Sequence, residues 1–187
     1  MAVGSTATVS SVSTPPLVGG VPSTGGITYS IISGISNALI DALTGEITAI
    51  ASGIIVVQAM QGGDVNYNAP VPVSLTITIG VGVQSLSLSS STGNYSMTVG
   101  SSLTVTASSN VIGGGAITYS ISSGSGSATV DLNTGFIRAI GSGTVTLRAA
   151  TLGNSNYTAA VINQTITIGK GTPSLSFSNT LTSTTVG

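Results

Sequence analysis

The 187-residue chain contains 26 Gly but no Cys, His or Trp, and carries three basic and four acidic side chains for a net charge of −1. Most catalytic chemistry loses its usual residues at once; three cations cannot neutralise a row of phosphates or hold an anionic lipid surface, and no apolar run nears the roughly 18 residues that span a bilayer. A mean hydropathy of +0.56 argues against disorder despite the abundance of Gly, Ser and Thr, and apolar residues that alternate with Thr and Ser predict strands with essentially no helix.

Taken in order, the chain repeats itself about every 90 residues. Met1-Ala2-Val3-Gly4 matches Met97-Thr98-Val99-Gly100. Gly26-Ile27-Thr28-Tyr29-Ser30-Ile31 recurs as Ala116-Ile117-Thr118-Tyr119-Ser120-Ile121. Asp41, Thr44-Gly45, Ala49-Ile50, Gly53 and Asn66-Tyr67 recur 90 residues on as Asp131, Thr134-Gly135, Ala139-Ile140, Gly143 and Asn156-Tyr157. At a spacing of 89, Thr76-Ile77-Thr78-Ile79-Gly80 matches Thr165-Ile166-Thr167-Ile168-Gly169, and Ser85-Leu86-Ser87-Leu88 matches Ser174-Leu175-Ser176-Phe177. The expected organisation is a first repeat over 1–80, a second over 81–171, and the opening strand of a following repeat over 172–187.

The second repeat reads as seven short strands at about 84–90, 102–108, 116–122, 127–131, 135–140, 143–150 and 160–168, which suits a two-sheet sandwich. Leu103, Val105 and Ala107 alternate with Thr104 and Thr106; Ile117, Tyr119 and Ile121 with Thr118 and Ser120; Val145, Leu147 and Ala149 with Thr144, Thr146 and Arg148. The first-named members of each set are the predicted core. Phe136 stands where the first repeat has Glu46, so that position is expected to face water. Gly45 and Gly135 supply the positive φ of a tight turn, and Asp41 and Asp131 are expected to accept hydrogen bonds from the turn amides.

The order Val99-Gly100, Leu103-Thr104-Val105, Tyr119-Ser120, Ala128-Thr129-Val130-Asp131, Thr134-Gly135-Phe136-Ile137, Ala139-Ile140, Gly143-Thr144-Val145 resembles the bacterial immunoglobulin-like domain, group 2, of intimin- and invasin-type adhesins and other bacterial surface proteins. The resemblance covers nearly all of both repeats and departs from the family at Tyr29 and Tyr119, where Trp is common. It implies an all-β chain of tandem immunoglobulin-like, seven-stranded β-sandwiches, located outside the cell at its surface. Such domains serve as stalks, spacers, binding tips and filament subunits alike.

No residue set points to an enzyme. Ser has no His to activate it, and the single lysine, Lys170, lies in the Gly169-Lys170-Gly171 linker. Asp41 and Glu46 could imitate a glycosidase carboxylate pair, but their counterparts are Asp131 and Phe136. Both junctions, 79–83 and 168–173, lack acidic residues, so neither metal nor cofactor is expected. Asn94, Asn156 and Asn163 match the N-glycosylation acceptor pattern, as chance alone would produce in such a composition.

The leading expectation is therefore a structural repeat segment of a bacterial cell-surface adhesin or extracellular filament. It would supply reach and stiffness, with other copies or repeats of the same protein as partners. A carbohydrate- or receptor-binding module recognising a surface receptor or glycan, and a phage or virion decoration domain, are the alternatives. Nucleic acid binding and membrane insertion are not expected. Four residues are candidates for self-association. Ile54 and Val56 replace Thr144 and Thr146 of the second repeat and should form an outward apolar patch. Leu175 and Phe177 belong to a spare opening strand, whereas the first repeat has no counterpart of 84–90. Either that strand complements another copy, or it belongs to the next covalent repeat of a longer chain, in which Met1 is an internal residue.

Overall fold

The computed structural model describes residues 1–14 and 23–177 and contains no helix among them. The first repeat contributes β1 (Thr6–Thr8), β2 (Ile27–Ser33), β3 (Ala38–Ile40), β4 (Glu46–Ala49), β5 (Gly53–Gln61) and β6 (Val73–Ile79). The second contributes β7 (Leu86–Ser90), β8 (Ser96–Thr98), β9 (Ser102–Ser109), β10 (Ile117–Gly124), β11 (Ser127–Val130), β12 (Phe136–Gly141), β13 (Gly143–Thr151) and β14 (Ala160–Gly169). Sheet orders are β1-β4-β3 and β2-β5-β6 in the first, β11-β12-β9-β7 and β10-β13-β14-β8 in the second.

These orders are those of the immunoglobulin sandwich, one sheet built from the first, second, fourth and fifth strands and the other from the third, sixth and seventh. The chain is thus all-β and immunoglobulin-like. Sequence reasoning passed over β8, which runs parallel to β14 with Ser96, Met97 and Thr98 opposite Thr167, Ile168 and Gly169. The first repeat holds the same contact as a single parallel bridge, Ala2 to Gly80.

The chain divides into two compact units. One comprises Met1–Ser87 with Ser109–Ile117 and Ala150–Val161; the other takes Leu88–Ser108, Thr118–Ala149 and the chain from Ile162. The core of the former gathers Val3, Ala38, Ile47 and Ala49 from one sheet side and Ile55, Val57 and Ile79 from the other. Period-two alternation accounts for it: along β5, Ile55 and Val57 turn in while Ile54 turns out. In the latter, Leu103, Val105, Ile137 and Ala139 are buried on one sheet and Tyr119, Val145, Leu147, Ala149, Ile166 and Ile168 on the other. Phe136 and Arg138 face solvent, as the Glu46 comparison predicts.

The turn chemistry is duplicated in detail. Asp41 Oδ1 accepts the Leu43 and Thr44 amides at 2.9 and 2.7 Å, and Asp131 Oδ1 accepts those of Asn133 and Thr134 at 3.1 and 2.8 Å. Gly45 and Gly135 follow at φ 71° and 68°, each beneath a tyrosine ring. Those rings, Tyr29 and Tyr119, are buried, and their hydroxyls accept the Ser11 amide at 3.0 Å and the Ala107 amide at 2.7 Å. A buried phenol needs such a partner.

Candidate functional site

The three aspartates are occupied by backbone amides. The Thr44 and Leu43 amides hold the Asp41 carboxyl below the usual carboxylate range, and the Thr134 hydroxyl and amide do so for Asp131. Amides of Asn66 and Thr24 lower Asp64 from its ordinary 3.8 to about 2. Anions fixed in this way are turn struts, and Glu46 stands exposed on β4. Among the described residues no three His, Cys, Asp or Glu side chains cluster to hold a metal ion.

Apolar surface is more informative. Ile54, 60% exposed, and the half-buried Val56 lie on the outward face of β5, opposite Thr78 and Thr76 of β6. The structure thus places both on one surface, as their spacing predicts. Leu175 and Phe177 are fully exposed on irregular backbone, and residues 178–187 of the expected opening strand lie outside the described residues.

An open edge in the first sandwich was not foreseen residue by residue. Leu75 and Val73 pair with Val57 and Ala59 of β5, so they face inward, yet they remain 54% and 61% exposed. Ile77 and Val9 are half-buried where their counterparts Ile166 and Val105 are fully buried. A cleft of about 90 Å³ opens between Val9, Tyr29, Val57, Ala59, Val73 and Leu75. It continues through Ser11, Ala59 and Val73 into a second cleft of about 210 Å³ that reaches Val12, Ile27 and Pro70. In the second sandwich the equivalent edge is covered by β7, which lies beside β9 and turns Leu86 and Leu88 to its half-buried side.

Within the first unit, the segment leaving β6 is knitted to the loop at 155–158. Gly82 N–H donates to Asn156 O at 2.7 Å, and Thr158 N–H donates to Gly82 O at 2.9 Å. Ser52 donates through its amide to Asn156 Oδ1 at 3.0 Å and through its hydroxyl to Ser155 O at 2.7 Å. Tyr157 packs against the core group that includes Val3. A Cβ on Gly82 would lie 2.7 Å from Val3 O and 3.0 Å from the Tyr157 ring, so only glycine fits between them. In the second unit, a cleft of about 580 Å³ lined by Val99, Ser142, Lys170, Gly171, Thr172 and Pro173 repeats this floor. Val99, Ser142 and Gly171 are the counterparts of Val3, Ser52 and Gly82, and Gly171 sits against Val99 O as Gly82 sits against Val3 O.

No family model matches the chain, and no curated protein matches it. Among solved structures it is similar to the C-terminal 282-residue fragment of intimin, crystallised in complex with the intimin-binding domain of the translocated intimin receptor. That likeness has 16% identity and a TM-score of 0.35, covering 79% of this chain and 53% of the fragment, so the chain spans about half of the fragment's length. It is also similar to chicken VE-cadherin EC1-2, at 14% identity and a TM-score of 0.30 over 92% of this chain and 94% of that one. Scores this low carry no argument about function, and the fold assignment rests on the strand orders themselves.

Proposed function

We propose that the chain is a structural segment of a bacterial cell-surface adhesin or extracellular filament, in which immunoglobulin-like sandwiches of the group 2 type follow one another along a fibre. The observation that carries this reading is the segment 80–84, which is bonded into the first unit through Gly82, Asn156 and Thr158 where a free tether would be solvated. Fixing a connecting segment by paired amides restricts its motion, and a fibre element needs that restriction. Exposed Ile54 and the half-buried Val56 beside it add a face through which copies associate side by side.

Two measurements test the reading. Antibodies against the chain should label the intact surface of cells that produce it; labelling only after lysis would overturn the location. Amide hydrogen exchange at Gly82 and Thr158 should be as slow as at strand amides; exchange at the rate of an open linker would overturn the stiff-segment role.

A further inference from the structure

The open edge of the first sandwich, the exposed segment 174–177 and the unfilled floor of the second unit are complementary. In the second sandwich, Asn110 N–H donates to Ser85 O at 3.1 Å and Ser91 N–H to Thr104 O at 2.9 Å, which fixes β7 antiparallel to β9. Ser174-Leu175-Ser176-Phe177 repeats Ser85-Leu86-Ser87-Leu88 at a spacing of 89, and residues 9–14 stand 96 before 105–110. Transferred to the first sandwich, the same register sets Ser174 opposite Thr14, Leu175 opposite Ser13 and Phe177 opposite Ser11.

Leu175 would then enter the cleft beside Val12, Ile27 and Pro70, and Phe177 the cleft beside Val9, Tyr29 and Leu75. Alternate residues of a strand stand about 6.5 Å apart, so two contiguous clefts are what such a pair requires. The polar end agrees as well. In the second repeat, Gln84 reaches Thr158 O through its Nε2 at 2.7 Å. In the first repeat Gln61, at the end of β5, already donates to Gly25 O at 2.9 Å, and the residue aligned with Gln84 is Pro173, which has no amide to satisfy.

We propose that copies of this chain join head to tail. Residues 174–177 of one copy pair with residues 11–14 of the next, in line with β1. Tyr67 of that next copy seats on Val99, Ser142 and Gly171 of the first. Tyr67 is the counterpart of Tyr157, and its loop is built alike: Asp64 Oδ1 accepts the Asn66 and Tyr67 amides at 2.8 and 2.9 Å, as Asn154 Oδ1 accepts those of Asn156 and Tyr157 at 2.8 and 3.0 Å. Main-chain pairing supplies affinity and the alternating Leu and Phe supply register, as in other strand additions.

The full chain should sediment as concentration-dependent oligomers. Leu175→Ser with Phe177→Ser removes the donor, and Leu75→Arg blocks the acceptor cleft; both sites are exposed, so folding is retained. With Ile54→Thr and Val56→Thr added throughout to remove side-by-side contacts, each variant alone should be monomeric, and the two mixed in equal amounts should give dimers and nothing longer, because one donor and one acceptor remain. Tyr67→Ala should weaken that dimer about tenfold or more. Wild-type chain that stays monomeric at high concentration, or oligomers unchanged in the donor variant, would overturn the proposal. Solution assembly is read here, whereas cell labelling and amide exchange test the fibre-segment reading that this joint extends, so either can fail without the other.

Discussion

Residues 9–14 and 105–110 occupy the same place in the two repeats, and both are Val, Ser and Thr-rich stretches of ordinary strand composition. In the second repeat most of the stretch belongs to β9, which runs to Ser109 beside β7; in the first, β1 stops at Thr8 and 9–14 form no ladder. The loss is felt across the sandwich, since Val9, Ala59 and Ile77 are half-buried where Val105, Ala149 and Ile166 are buried. A strand is thus a property of a pair and its covered face more than of one segment's propensity.

Replacements at matched positions sharpen this comparison. Leu147→Ala should cost roughly 2–5 kcal/mol in chemical denaturation, whereas Leu75→Ala at the uncovered edge should change stability of the isolated chain by no more than about 0.5 kcal/mol. Equal losses would mean that the edge is closed in solution. Gly45→Ala and Gly135→Ala should be alike in the two repeats, each losing at least about 1–2 kcal/mol from a left-handed backbone and more from the added Cβ meeting Val9 O or Val105 O. A clear difference between them would break the equivalence of the two turns.

Next come the tyrosine hydroxyls. Tyr119→Phe should cost about 0.5–1.5 kcal/mol, and Tyr29→Phe should fall at or below the low end of that range because its acceptor contact is longer and its surroundings more open. The smaller changes are at the surface. Ile54→Thr with Val56→Thr should leave stability within about 0.5 kcal/mol and reduce side-by-side association in sedimentation; undiminished association would remove the patch from the account.

The smallest is a difference in acid. Asp64 titrates lower in the folded chain than in the unfolded one, so its contribution is present above pH 3.8 and is lost as pH falls toward about 2. Asn154 makes the same two amide bonds without a titrating group. Asp64→Asn should therefore flatten the acid dependence of its own loop, read by NMR shifts of Asn66 and Tyr67, and leave the second loop unchanged.

Much of the fold was legible because the repeat let one copy interpret the other. Glu46 settled the facing of Phe136, and the recurrence of Asp and Gly located both turns. β8 escaped because three residues with one buried side chain, Met97, carry no alternation, and its pairing with β14 is a tertiary event. Leu75 escaped for the opposite reason: β6 alternates like a covered strand, and its inward face is wet because no strand among the described residues lies on the outer side of β1. Ile54 and Val56 stood out against Thr144 and Thr146 of the second repeat, and Leu175 and Phe177 as the counterparts of Leu86 and Leu88; their self-association is a proposal. The floor at Ser142 and Gly171 did not stand out, because a serine and a glycine in a chain full of both give no contrast.

The parallel run of β8 beside β14 governs how a pull is borne. Once β7 is drawn off β9, tension between β8 and Lys170 acts along these strands instead of across them. The Thr167 N–H to Tyr95 O and Val99 N–H to Gly169 O bonds, both 3.0 Å, are therefore loaded together in shear. Bonds sharing a load must fail at once, whereas bonds peeled from one end fail singly. This short ladder therefore resists traction as a unit, although only Met97 of β8 enters the core.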